Sequence, residues 1–529
     1  MTQYDVIIVG AGHNGLTAAI ELSRAGRKVL VLEKNDEPGG MACTKELFPG
    51  FKHSVGAWAM LVLKEKMVEY LELDKEGFEL IRPKSSYTVF GDEGDPLFIG
   101  YTDPMDLANA ILEAHGPEAI QGLAGLGEYL AKWKEAFDRY ADDPNPPTME
   151  QLIAAEQDPA TREALITLTY GSAMEVLRRF FPDPDMCGTI QGSLCASAID
   201  GTHYGPYSQG SALSMSYHYC AGDNYDFKIP KGGMGAFSRA LASVATRYGA
   251  EIRYKTPIEQ FVIEASASGN AVTGVRLKGD EVISARRVIS TLDAHSTFIR
   301  LGDRSKLPTH FANAVDDIDY TNGYMQIHLS LKGLPTFTKQ LASVNGKTES
   351  WVVAYIKNPA LLHEAWLQYR ENEIPETPPV YCYFPSMLDP SLAPEGFHTC
   401  TLFAHYYPAQ IPKGEHKNMK NLMADKMLDR IEDVAPGFRE LIIDSAIFTQ
   451  HYFESKYGAT GGDFAQGLLQ PSQFFGNRPV PGWIDKKASA YETPLANLYM
   501  AGGGCHPGPG VTCLPGLYGA RAVMASLAG

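Results

Sequence analysis

Residues 4–33 read YDVIIVGAGHNGLTAAIELSRAGRKVLVLE, and their reading decides the fold. Tyr4–Val9 is a short run rich in Val and Ile, the pattern of a strand buried on both faces. Leu16–Ala25 spaces Leu16, Ala19, Ile20 and Leu22 along one helical face and stops at Gly26. Lys28–Leu32 is a second strand of the buried kind, and it ends in Glu33. The unit is strand, glycine turn, helix, strand, acid. Gly10 permits the tight turn, Gly12 lets the backbone approach a pyrophosphate, and Gly15 lets the helix pack closely on the strand. The N–H groups that open the helix, together with its dipole, favour phosphate. Glu33 stands where a carboxylate accepts the hydroxyls of an adenosine ribose, with Lys34 beside it. A carboxylate at that place repels a 2′-phosphate, which disfavours NADP and leaves NAD or FAD. The plainer alternative is a glycine turn that merely joins strand to helix. The flanking strands and the acid argue against it.

The whole chain has 529 residues, 44% hydrophobic and 20% charged, enough for two or more domains with a real core. A formal net charge of −16 disfavours nucleic acid and an anionic membrane surface as the main partner. Eight cysteines are scattered with no CxxC and no ladder of short spacings, which fits a reduced, cytoplasmic setting. No signal peptide is expected, since the first apolar run carries the glycine turn, and no stretch is apolar enough to span a bilayer. Contact at the periphery of a membrane stays open.

Further along, NDEPGGMA (35–42) places a Gly39–Gly40 doublet shortly after the acid, where a flavin's ribityl–pyrophosphate arm passes the backbone. Residues 105–140 and 148–181 read as helical, separated by Pro144–Pro147. Residues 187–225 are rich in Ser, Gly, Tyr and Cys, a composition for small-residue helices around a cavity or for a plain packed pair. KGGMGAFSRALASVATRY (231–248) is a glycine turn into an amphipathic helix, and 249–291 reads as an antiparallel meander with a SASGN turn. Residues 320–331 and 380–405 have strand character; 416–434 and 436–444 read as helical. The segment NLYMAGGGCHPGPGVTCLPGLYGA (497–520) repeats the pattern of strand, glycine turn and helix at the far end of the chain. A nicotinamide dehydrogenase has no use for that second turn. A flavoprotein does, because one turn holds the ADP end and a distant one returns to the ribityl chain and ring.

These segments, with RRVISTLDAH (286–295), GDFAQG (462–467) and Gln473…Arg478-Pro479, resemble the phytoene desaturase group of FAD oxidoreductases, which includes carotenoid and retinoid enzymes. GFKHSVGAW (50–58) and STLDAHSTF (290–298) are most similar to the "pyridine nucleotide-disulfide oxidoreductase domain-containing" branch. The resemblance spans the chain and implies an α/β fold: a Rossmann-type, glutathione-reductase-like FAD domain, with a parallel sheet plus an antiparallel meander, and an inserted α+β substrate domain. The expected division gives 1–85, 226–300 and 481–529 to the FAD domain, and 86–225 and 301–480 to the substrate domain. It carries Gly10, Gly12, Gly15, Glu33 and Lys34 to the ADP half and Gly39, Gly40 and Met41 to the pyrophosphate–flavin side. Many relatives have Arg where Met41 stands. Val262 matches the residue whose backbone meets the adenine, and Gly502, Gly503, Gly504 and Val511 match the turn along the flavin.

The chemistry so implied moves hydride between a small lipophilic or unsaturated substrate and flavin N5, by desaturation, saturation or isomerisation, with oxygen or a quinone as the final acceptor. Desaturation also releases a proton. His506, in the second glycine turn, and His53 are the candidate catalytic bases. Each has a plainer reading, His506 as a brace for its turn and His53 as a packed core histidine. Tyr217, Tyr219, His405 and Tyr407 are candidates for the substrate cavity, with His218, His451, Tyr406 and Phe453 in the same aromatic surroundings. Cys505 is either near the flavin or a small apolar filler. No metal site is expected, as no HxH, HExxH or cysteine cluster appears, and no GxSxG elbow starts a hydrolase. Two other functions share the architecture: a flavin amine oxidase, and a prenyl- or lipid-binding carrier of the dissociation-inhibitor type.

Overall fold

A computed structural model describes residues 3–181, 183–222, 227–266, 269–482 and 489–528. The expected boundary at 225/226 and the centre of the SASGN turn lie outside these residues. The strand β1 (Tyr4–Val9), the helix α1 (His13–Arg24) and the strand β2 (Val29–Leu32) form the N-terminal unit. β1 and β2 are buried and pair in parallel with Val9 opposite Leu32. Continuous apolar runs suit strands covered on both faces. α1 starts three residues earlier than its apolar face suggests. Gly12 is its N-cap, and lacking a side chain it leaves the first turn's N–H groups without a side-chain cap.

The first sheet joins distant parts of the chain. Its parallel core runs Leu498–Met500, Val282–Ser290, β1, β2, Glu251–Arg253. Val282–Ser290 serves two arrangements. Its first residues pair antiparallel with Gly269–Leu277, which pairs in turn with Ile258–Ser266, while its last residues lie between β1 and Leu498–Met500. The meander and the parallel sheet thus share one strand.

The second sheet runs Ile442–Thr449, Tyr324–Leu331, His398–His405, Val380–Tyr383, Val352–Tyr355, Ser85–Phe90, Phe98–Tyr101. All its pairings are antiparallel except that of Val352–Tyr355 with Ser85–Phe90. A helical layer between Pro104 and Ala221 builds a separate apolar cluster around Trp133, Phe137 and Leu168. The hairpin of β3 (Ala42–Phe48) and β4 (Phe51–Gly56) crosses between the two sheets. Gln326 of the second sheet holds the backbone of Gly56 by donating to its carbonyl at 2.9 Å and accepting from its N–H at 3.3 Å.

Three helical expectations change. Residues 105–140 divide at Gly116, whose φ of 82° ends one helix and begins another. Residues 148–181 form three short helices, Met149–Ala155, Pro159–Tyr170 and Ala173–Phe180. Residues 436–444 are helical only over Phe438–Leu441. Ile442 onward is an edge strand, because Tyr324–Leu331 offers a free edge and takes it into the sheet.

Candidate functional site

One cavity of about 730 Å³ takes its wall from both sheets, the hairpin and the helical layer. At one end stand Glu33, Lys34, Thr256, Pro257, Ile258 and Arg300. Glu33 is buried, and its carboxylate accepts from the backbone N–H of Ala11 at 2.9 Å and of Asn35 at 2.8 Å. These bonds fix the carboxylate at the end of β2. Arg300 donates to the carbonyl of Gly458 at 2.8 Å across the same mouth.

The middle of the cavity is walled by both glycine turns. Gly10, Gly12, Gly39, Gly40 and Met41 come from the N-terminal unit; Gly503, Gly510 and Val511 come from the C-terminal one. The two are tied directly. His13 Nε2 lies 3.1 Å from the Gly510 carbonyl, and Gly516 N donates to Asn14 Oδ1 at 3.4 Å. A Cβ on Gly12 would meet no atom within 4 Å, so the absent side chain leaves room on the cavity side. Gly15 does the opposite: a Cβ there would overlap the carbonyl oxygen of Gly10, so this glycine serves packing. Beyond the turns the cavity widens into a chamber walled by Trp58, Tyr87, Tyr217, Tyr324, Tyr381 and Phe403. Tyr217 O–H donates to the Pro509 carbonyl at 2.6 Å and holds the second turn against the helical layer.

FAD fits this cradle. A fixed carboxylate faces the ribose end, an uncapped helix N-terminus and the open face of Gly12 suit the pyrophosphate, and a second glycine turn returns alongside. Gly502 and Gly504 stand behind that second turn, packed against Gln466, whose side-chain oxygen accepts from Gly504 N at 3.0 Å. Val262 does not reach the wall; Thr256–Ile258, where the same meander begins, do.

The expected catalytic and cavity residues divide. Tyr217 and His405 line the chamber. Tyr407 is buried in the core of the second sheet, and Tyr219 packs among the helices. His506 and His53 do not line the cavity, and packing explains both. His506 is fully buried against Phe475, donates from Nε2 to the Tyr140 carbonyl at 2.7 Å, and is pushed by burial down to about 4. His53 points to the other side of β4, edge-on to Phe48 and His328, and burial pushes it down to about 3. Cys505 is buried, with burial pushing its thiol up to about 12, and it does not line the cavity. Among the described residues no group of three or more His, Cys, Asp or Glu side chains could hold a metal ion.

Asp200, His218 and His405 line the chamber, beside neutral polar groups such as Ser193, Ser197 and Gln326. Asp200 was not apparent from the sequence. Its signal was an acid closing a stretch, residues 186–199, that carries no other charge. His218 Nδ1 lies 2.8 Å from the Ser214 carbonyl and its Nε2 lies 3.3 Å from Asp200 Oδ2. Both ring nitrogens face acceptors, an arrangement that favours the protonated ring. Burial pushes His218 down, but Asp200 outweighs it and the net shift is upward. Burial likewise pushes Asp200 up, but His218 outweighs it and the net shift is downward. His405 is 4% exposed, and burial lowers its basicity below that of an ordinary histidine.

Residues 15–511 match the family model of the flavin-containing amine oxidoreductases. The chain is 29% identical to pyridine nucleotide-disulfide oxidoreductase domain-containing protein 2 of Rattus norvegicus, over 99% of this chain and 94% of that protein. It is 26% identical to the chloroplastic prolycopene isomerase of Daucus carota, over 96% of this chain and 78% of that protein. Among solved structures, an oxidoreductase from Methanosarcina mazei superposes with a TM-score of 0.61 at 16% identity, over 98% of this chain and 99% of that one. The chain therefore belongs to the flavin-containing amine oxidoreductase family and is an FAD-dependent oxidoreductase.

Proposed function

We propose that the protein transfers hydride between flavin N5 and a lipophilic, unsaturated small molecule held in the aromatic chamber. The carrying observation is that the cavity shared by the two glycine turns continues into that chamber. Glu33 and Lys34 would hold the ribose end of FAD; Gly12, Gly39, Gly40 and Met41 the pyrophosphate; Gly503 and Val511 the ring side. The nucleotide-binding part of the chain is then the first sheet with its helices, and the substrate part is the second sheet with the helical layer. Bound FAD supplies a two-electron acceptor at the chamber's edge. The protein's own contribution is to align the substrate and exclude water. Trp58, Tyr87, Tyr381 and Phe403 give flat apolar contact suited to a conjugated or ring-bearing skeleton. The likeness to a prolycopene isomerase supports a lipophilic substrate.

The test is anaerobic mixing of the flavin-loaded protein with isoprenoids, steroids, enones, allylic and aromatic alcohols, and amines, following the flavin absorption band. Bleaching by unsaturated lipophilic compounds is expected. Bleaching by amines alone would replace this reading with an amine oxidase. Reoxidation in air compared with reoxidation by a soluble quinone then identifies the acceptor.

A further inference from the structure

Most of the chamber wall is apolar or aromatic, yet a carboxylate and two histidines meet on it. A buried histidine–carboxylate pair is a poor stabiliser compared with apolar residues of the same volume. Pinning the helices Pro184–Ile199 and Ser211–Ala221 together does not require it, because Ser214 Oγ already donates to the Ser197 carbonyl at 2.9 Å. His405 comes from a different element, the strand His398–His405, and lies close enough that the charges of Asp200 and His218 both act on it. No described residue hydrogen-bonds its ring, which packs edge-on to Phe403 at 4.8 Å. A histidine 4% exposed, without a partner and facing a cavity, is a polar group awaiting one from a ligand. A hydrocarbon substrate makes no use of it.

We infer that His405 is a catalytic base served by Asp200 and His218, and that the substrate is a lipophilic unsaturated alcohol oxidised to the carbonyl compound. This rests on the oxidoreductase reading above. The alcohol donates its O–H to the His405 imidazole. That O–H bond breaks with its proton passing to the ring, the carbinol C–H bond breaks with its hydrogen and electron pair leaving to the oxidised flavin, and the C=O bond forms. The substrate loses two electrons and the flavin gains them. His405 becomes positive in the step, and the Asp200 carboxylate stabilises that charge. His218 is a positioning residue that keeps Asp200 ionised and turned toward the chamber. The other titratable side chains against His405 are Tyr381 and Tyr406, both raised far above the working range by burial and therefore neutral throughout.

The experiment uses flavin-loaded protein and two readouts. The first is equilibrium binding under air-stable conditions, read from the shift of the flavin band, for a tertiary alcohol that cannot be oxidised and for the hydrocarbon of the same skeleton. Wild-type protein is expected to prefer the alcohol by about tenfold or more, and His405→Phe to lose that preference while retaining flavin. The second readout is the pH profile of anaerobic bleaching by the oxidisable alcohol. It should fall on the acid side as His405 is protonated. Asp200→Asn should move that limb to lower pH, because the carboxylate raises His405, whereas a merely structural role would leave the limb in place. If His405→Phe does not fold, Asp200→Asn decides. Equal binding of alcohol and hydrocarbon by the wild type, or an unmoved acid limb in Asp200→Asn, overturns the inference. Bleaching by unsaturated hydrocarbons but not by alcohols also overturns it and leaves the oxidoreductase reading intact, whereas bleaching by neither class rejects that reading itself.

Discussion

Arg478 reaches the second glycine turn from the protein interior, its Nη1 donating to the carbonyl of Gly503 at 3.4 Å. The same guanidinium donates to the carbonyls of Gln473 at 2.8 Å, Gly467 at 2.8 Å, Leu468 at 3.2 Å and Ala465 at 3.4 Å. It is 1% exposed. A planar fork of five donors satisfies carbonyls from three turns at once, which an ammonium on a flexible stem does not. Arg478→Lys is expected to leave at least one carbonyl unpaired, cost about 3 kcal/mol in urea unfolding, and lower the flavin retained on purification. Unchanged stability and flavin content would show that the turn holds without this clamp.

Two of the three glycines of the first turn, Gly12 and Gly15, predict opposite defects. Gly12→Ala places a methyl group in open space, so the flavin-free protein should keep its stability to within about 0.5 kcal/mol. Its affinity for FAD should fall about tenfold or more, because the methyl group occupies the approach of the pyrophosphate. Gly15→Ala should destabilise the fold itself by overlap with the Gly10 carbonyl. Thermal melts with and without added FAD separate the two.

His53 and His328 form a buried pair with ring centroids 5.3 Å apart, and three of their four ring nitrogens lack a hydrogen-bond partner among the described residues. Burial holds His53 at about 3 and His328 well below its ordinary value. In the unfolded chain each takes a proton near pH 6.5; in the folded protein neither does until far lower. Their stabilising contribution is thus complete above about pH 6.5 and drains away as the pH falls toward about 3, at about 1.4 kcal/mol per pH unit for each histidine. His53→Leu should flatten the acid limb of the stability curve by close to one proton, measured by urea unfolding between pH 7 and 4.5.

Trp58 stacks on Tyr383 at 4.3 Å with 18° between the rings, and Phe227 and Trp351 close around it. This box holds one side of the chamber rigid. Trp58→Ala should raise KM for a ring-bearing lipophilic substrate by about 10- to 100-fold, from about 1.5–3 kcal/mol of lost apolar contact. Flavin content should stay the same. A change in kcat with unaltered KM would argue that Trp58 orients the substrate rather than binding it.

The sequence announced the nucleotide site because local rules govern it. Tyr4–Val9 is the strand that its apolar run indicates, and glycines around a helix start have few other uses. Gly188 and Gly192, in the small-residue segment, pack against the backbone carbonyls of Lys357 and Ile356, so that composition partly reflects close packing on a neighbour. Other faces of the same helix, through Ser193, Ala196 and Ser197, do line the cavity. His405 and His218 were legible as cavity candidates, but Asp200 and the meeting of the three were hidden, because they come from two helical segments and a strand that only the tertiary fold brings together. Residues 442–444 looked helical for the same reason: the sheet edge that recruits the strand Ile442–Thr449 lies more than a hundred residues earlier in the chain.

Ser290 has Val9 on one side and Met500 on the other. Three neighbours in space are drawn from the first, middle and last portions of the polypeptide. A chain emerging from the ribosome can therefore place β1 beside the middle strand, but about two hundred further residues must follow Ser290 before the second wall of the nucleotide groove arrives. Until then the backbone edge of Val288–Ser290 that Leu498–Met500 will occupy is unpaired, an open template for any other strand.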